Sequence, residues 1–207
     1  MKRLIKIPLI IGFLIMGVGS HAQELDDIVK EVSEAIELDE TQTKAMETQM
    51  GKFAISLQLI FAKYEEAEPD TQAMLTDIKH AREEYQKALK ADIGREKYKA
   101  YEAYVDKVIL EVLGEAAGLR LLDLQDPLLM TDEQVLQMKP IMARAMRGMM
   151  KTLMQYVDKP LNVRNKLKIA NSLKSTKKTM ERETSQVLTS EQIKKWNEIK
   201  EAAKESK

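Results

Sequence analysis

The chain has 207 residues, with 33 Lys and Arg balanced by 33 Asp and Glu, and it contains 13 methionines, a single tryptophan and no cysteine. The missing cysteine excludes disulfides, thiolate metal sites, thiol catalysis and a lipid anchor on a cysteine, and a balanced charge gives no reason to expect a nucleic-acid partner. Only 8 glycines and 5 prolines punctuate a sequence rich in Ala, Glu, Lys, Leu and Met, a composition that predicts an all-α protein of helical hairpins or a bundle, with no β-sheet.

Residues 1–22 read as a signal peptide: Lys2, Arg3 and Lys6 come first, a short apolar stretch follows, and Ser20 and Ala22 stand where a signal peptidase reads small residues. Cleavage after Ala22 is expected, with a periplasmic or secreted destination and no membrane span in the mature chain. Loss of those three positive charges from a neutral precursor leaves a net charge near −3. The mature chain is uneven, because Glu24 to Glu47 is crowded with acids whereas Lys159 to Met180 carries seven Lys or Arg and no acid.

The predicted elements then come in order. An acidic leading helix covers Glu24 to Ile36, and a long helix covers 39 to 66. A second helix follows the turn signal Glu68-Pro69-Asp70, and a third spans 94 to 113. Residues 114–129, with Gly118 and Asp126-Pro127, form a connector. A long helix from 131 to 157, a second after Asp158-Lys159-Pro160 and a third from 189 to 204 complete the chain.

Three helix starts carry the same signpost. Leu188-Thr189-Ser190-Glu191-Gln192 supplies a hydroxyl to cap the helix, a Gln three residues on to reach back to the cap, and an apolar staple in front. Met130, Thr131 and Gln134 repeat the pattern, as do Leu38, Asp39 and Gln42 with Asp as the cap. Ile93-Gly94-Arg95-Glu96-Lys97 is a weaker fourth copy, in which Lys97 has no acceptor to offer. Leu38 to Ile93 is 55 residues and Met130 to Leu188 is 58, and aligning the halves puts Met46 on Met138 and Met50 on Met142. An N-terminal half (23–113) and a C-terminal half (130–207), two tandem three-helix repeats forming a pseudo-dimer, are expected.

An LTxxQ signature, strict at Leu188 to Gln192 and loosened at the two earlier sites, on an exported, Met-rich helical chain resembles the Spy/CpxP family of periplasmic stress proteins. The resemblance implies ATP-independent chaperoning or restraint of an envelope stress kinase, with metal binding in related proteins. A fused pseudo-dimer departs from that family's small paired protomers.

The residues give no basis for an enzyme. His80 is the single histidine of the mature chain and is flanked by Lys79 and Arg82, and the adjacent pairs Glu65-Glu66 and Glu83-Glu84 diverge around a helix. Neither a cofactor nor a metal is expected. What remains is methionine: six of the 13 lie between Gln137 and Tyr156. Core filler, soft-metal ligands and a pliable surface for apolar partners all suit thioethers. Apolar residues cover more than half the circumference of this helix, more than one packing contact needs. The surface alternative has Met146, Met150 and Met154 exposed beside Arg144, Arg147 and Lys151, with Met138, Met142 and Met149 facing inward. The expected function is the holding of unfolded envelope proteins on that face; an envelope stress regulator or metal sensor with one dedicated partner is the alternative. The sequence leaves the oligomeric state open.

Overall fold

The computed structural model describes residues 22–64 and 70–205, which form seven α-helices and no strand. Residues 1–21 of the expected signal peptide, and Glu68 and Pro69 of the expected turn, lie outside the described residues. In chain order the helices are α1 (Ala22–Ala35), α2 (Glu40–Lys63), α3 (Thr71–Ile93), α4 (Arg95–Leu128), α5 (Asp132–Tyr156), α6 (Val163–Thr184) and α7 (Ser190–Glu205). The chain divides into two compact units between Ile109 and Leu110. No described helix is long and apolar enough to cross a membrane.

Helices α2, α5 and α7 each begin one residue after a signpost cap. The Asp39 carboxylate accepts from the Gln42 N–H at 2.8 Å while Gln42 Oε1 accepts from the Asp39 N–H at 3.2 Å. Thr131 with Gln134 and Thr189 with Gln192 form the same reciprocal box. Each box satisfies two backbone donors that a helix start leaves unpaired. Changing Thr189 to Ala is expected to cost about 1 kcal/mol, measured by chemical denaturation; a loss below a few tenths would show that the cap is dispensable.

The third helix of the first half does not stop near residue 113. It continues to Leu128, so the expected connector at 114–129 is helix. Gly114 and Gly118 do not interrupt it, because one glycine costs a helix only about 1 kcal/mol and burial of Leu113, Ala117, Leu121 and Leu128 along one face opposes that loss. Pro127 falls in the last turn and does not cut the helix earlier.

In unit 1, Val29, Val32 and Ile36 of α1 pack with Met46, Met50, Phe53 and Leu57 of α2, with Tyr85, Leu89 and Ile93 at the end of α3, and with Tyr98 and Tyr101 of α4. The Phe53 and Tyr85 rings stack at 5.1 Å, and the buried Tyr85 hydroxyl donates to the Tyr101 hydroxyl at 3.0 Å. Burial raises both phenol pKa values above the usual range and pushes Tyr98 up to about 12. Tyr101 thus packs against α3 as well as the core.

In unit 2, Leu121 and Leu128 of α4, Val135, Met138 and Ile141 of α5, and Leu188 make the core, with Met142, Met180, Ile193, Trp196 and Ile199 half-buried around it. Trp196 sits half-buried at the rim of this core.

A crossed hydrogen-bond clasp closes each unit. In unit 2, Gln134 Nε2 donates to the Val187 carbonyl at 3.0 Å, Gln192 Nε2 donates to the Leu129 carbonyl at 3.0 Å, and the two side-chain amides bond each other. In unit 1, Gln42 Nε2 donates to the Ile93 carbonyl, and Lys97 Nζ donates to the carbonyls of Ile36 and Glu37. Glu37 and Leu129 both adopt left-handed backbone, with φ of 56° and 52°. Each ends the preceding helix in a closing turn, with Leu38 N–H bonded to Ser33 and Met130 N–H to Gln125. The clasp takes up the carbonyl of that strained residue.

Candidate functional site

The surface singled out by the sequence lies on α5, and the contact between α5 and α6 fixes which way it faces. Ala145 is buried, Thr152 Oγ1 lies 2.7 Å from Ser172 Oγ, and Gly148 sits so close to α6 that a Cβ there would approach the Thr176 side chain to 3.1 Å. Positions 145, 148 and 152 fall on one face of a helix. Small side chains there let the two backbones approach closely.

That contact turns the larger side chains away. Met149, assigned to the interior by its angle, is 40% exposed, and Leu153 is 57% exposed. Met146, Met150 and Met154 are partly exposed, Met142 is half-buried beside the unit 2 core, and Met138 is buried. The inward assignment therefore fails for Met149. The reading from angles treated every apolar residue as equal, whereas the close helix contact is made by Ala145, Gly148 and Thr152. Their spacing was the available signal for placing Met149 and Leu153 outside.

The cations also differ from one another. Arg144 donates to the Glu183 carboxylate at 2.7 Å and is tied to the end of α6. Arg147 is partly exposed and Lys151 exposed, each with interactions of its own. Met146, Met149, Met150, Leu153 and Met154 thus form a thioether-rich strip over the second half of α5, past the last residue of this helix in the unit 2 core cluster. Unbranched thioethers re-pack at low cost against irregular apolar surfaces.

Helix α5 runs unbroken through Pro140. Leu136, whose carbonyl loses its partner there, is exposed, so water can reach this turn. Next to it, Leu110, Val112, Gly114, Leu136 and Pro140 line an open, mainly apolar groove of about 450 Å³ bordered by the Lys139–Glu115 ion pair.

The apolar side chains of α6 include Val163, Leu167, Ala170, Leu173 and Met180. Only Leu173 and Met180 turn inward, with Ile169, Ser172, Thr176 and Thr184, while Val163 and Leu167 are exposed. The Ser172 and Thr176 contacts set this rotation.

The signpost residues are structural. Asp39, Gln42, Thr131, Gln134, Thr189 and Gln192 are engaged in boxes and clasps, and Leu38, Met130 and Leu188 pack on the cores beside them. Lys97 is the residue that sequence reasoning undervalued. It stands four residues after Ile93, as Gln192 stands four after Leu188, and a donor-only side chain suffices for the clasp although it cannot complete a capping box. Among the described residues no three His, Cys, Asp or Glu side chains converge as a metal site would require. Comparison with protein-family models, characterised proteins and solved structures finds no match to this chain.

Proposed function

We propose that this chain is an exported, ATP-independent holding protein that takes unfolded or partly unfolded envelope proteins onto the exposed strip of α5. The observation that carries this reading is a strip of α5 on which Met149 and Leu153 are exposed and Met146, Met150 and Met154 partly exposed, on a helix whose opposite side is closed by Ala145, Gly148 and Thr152. An exposed apolar strip on a charged surface suits partner binding, and thioethers suit partners of varied shape. Arg147 and Lys151 beside it would draw in acidic segments. The Spy/CpxP-like signature points the same way. We also read the two units as a tandem duplication, on the grounds that Gln42 matches Gln134, Lys97 matches Gln192 and Glu37 matches Leu129 in the clasps.

The test is suppression of aggregation of a chemically unfolded client by residues 23–207, without nucleotide. Changing Met149 and Leu153 to Gln together is expected to reduce protection several-fold and to move stability by no more than about 0.5 kcal/mol, as for exposed positions. Protection unchanged by that variant removes the proposed surface. Capture of one stoichiometric partner with no protection of unrelated clients would favour a regulator with a dedicated partner.

A further inference from the structure

The outer face of α6 carries a second, independent feature. Leu161 in the loop before it is 54% exposed, Val163 74% and Leu167 58%. Lys159, Arg164, Lys166 and Lys168 are interspersed with them, Lys174, Lys177 and Lys178 follow along the helix, and there is no acid between Lys159 and Met180. Lys177 pairs with Glu181 at 3.6 Å, and Lys159 lies over the Tyr156 ring. No other cation of this segment has an acidic partner among the described residues.

Val163, Leu167, Lys174 and Lys178 recur at helical spacing along the outward stripe, because Ile169, Ser172, Leu173 and Thr176 hold the opposite side against α5. The apolar side chains cluster at the end of the hairpin and the later lysines continue from them along α6. A folded tip with exposed Leu and Val flanked by Lys and Arg matches an anionic bilayer, whose phosphates meet the cations while the apolar groups enter the boundary between headgroups and acyl chains.

We propose that the α5–α6 tip docks on an anionic phospholipid surface through Leu161, Val163 and Leu167, with the α6 cations on the headgroup phosphates. The acidic segment Glu24–Glu47 of a second copy would satisfy the cations alone, but among its described residues it offers no exposed large apolar side chain to receive Val163 and Leu167. A bilayer satisfies both. This docking does not depend on the client-binding reading, since it uses a different helix face.

The experiment is co-sedimentation of residues 23–207, which keep every described residue except Ala22 and omit the apolar N-terminal stretch, which would bind lipid by itself. Vesicles of phosphatidylcholine alone are compared with vesicles containing added phosphatidylglycerol. Binding is expected to the mixed vesicles and to weaken with salt. It should fall about five-fold for each cation removed in Lys174→Gln and Lys178→Gln, and about ten-fold or more when Val163 and Leu167 both become Ser. Helicity by circular dichroism should be unchanged in both variants, whose altered residues are exposed. Equal binding to both vesicle types overturns the proposal. So does binding that survives loss of Val163 and Leu167, which would describe general attraction to polyanions. Full displacement by soluble polyglutamate would assign the face to acidic peptides, and self-association without vesicle binding would assign it to a second copy; either result also overturns it.

Discussion

Replacing Gln134 by Ala is expected to destabilise unit 2 by about 3 kcal/mol. Three contacts disappear together: the acceptor for the Thr131 N–H, the donor to the Val187 carbonyl, and the amide exchange with Gln192. The capping part alone is worth about 1 kcal/mol, and an orphaned polar group adds about 1–3 kcal/mol. Gln134→Glu keeps the capping acceptor and loses the donor, so it should cost less than Ala. The double change Gln134→Ala and Gln192→Ala should cost less than the sum of the two single changes, because they share one clasp. Trp196, the only tryptophan, packs at the rim of this core and reports its unfolding in urea through fluorescence. A loss under 1 kcal/mol for Gln134→Ala would reduce the signature to an ordinary helix cap.

Unit 1 should be the part of the protein most sensitive to alkali. The phenols of Tyr85, Tyr98 and Tyr101 are held neutral, mainly by burial, with folded-state pKa values raised above the ordinary 10. Above that value the unfolded chain releases protons that the folded chain retains, so stability present at neutral pH is lost as pH rises. Melting followed by circular dichroism from about pH 8 to about pH 11 should show a falling transition temperature, starting near the ordinary tyrosine pKa. Tyr85 and Tyr101 changed together to Phe should flatten that fall. Tyr85→Ala should cost about 3–5 kcal/mol, as expected for a buried aromatic residue, because it also removes the stack on Phe53 and strands the Tyr101 hydroxyl. A transition temperature that does not change with pH in this range would refute the coupling.

Helix starts were legible wherever a local rule governed them. Asp39, Thr131 and Thr189 cap through residues three positions away, so the sequence alone contains both partners. Helix ends and helix rotation were less accessible. Continuation of α4 past residue 113 depends on Leu121 and Leu128 finding the unit 2 core, a non-local reward that opposes the cost of Gly114 and Gly118. The outward turn of Met149 depends on how close α6 approaches, which two side chains on another helix, Ser172 and Thr176, decide. Periodicity identified the apolar arc of α5 without saying which part of it would be covered. The role of Lys97 was hidden for a related reason: its targets at Ile36 and Glu37 are 61 and 60 residues away.

The thioethers lie along a gradient from a sealed interior to open solvent, from Met46 and Met138 through Met142 to Met149. An oxidant dissolved in the surrounding fluid meets that gradient from its outer end. Sulfoxide formation at Met149, and next at its partly exposed neighbours, puts a polar oxygen on the α5 strip while the buried sulfurs of both cores stay reduced. Chemical wear would therefore change the exposed side of α5 well before it loosened the fold, and a reductase acting on methionine sulfoxide could restore that side without the protein having to unfold.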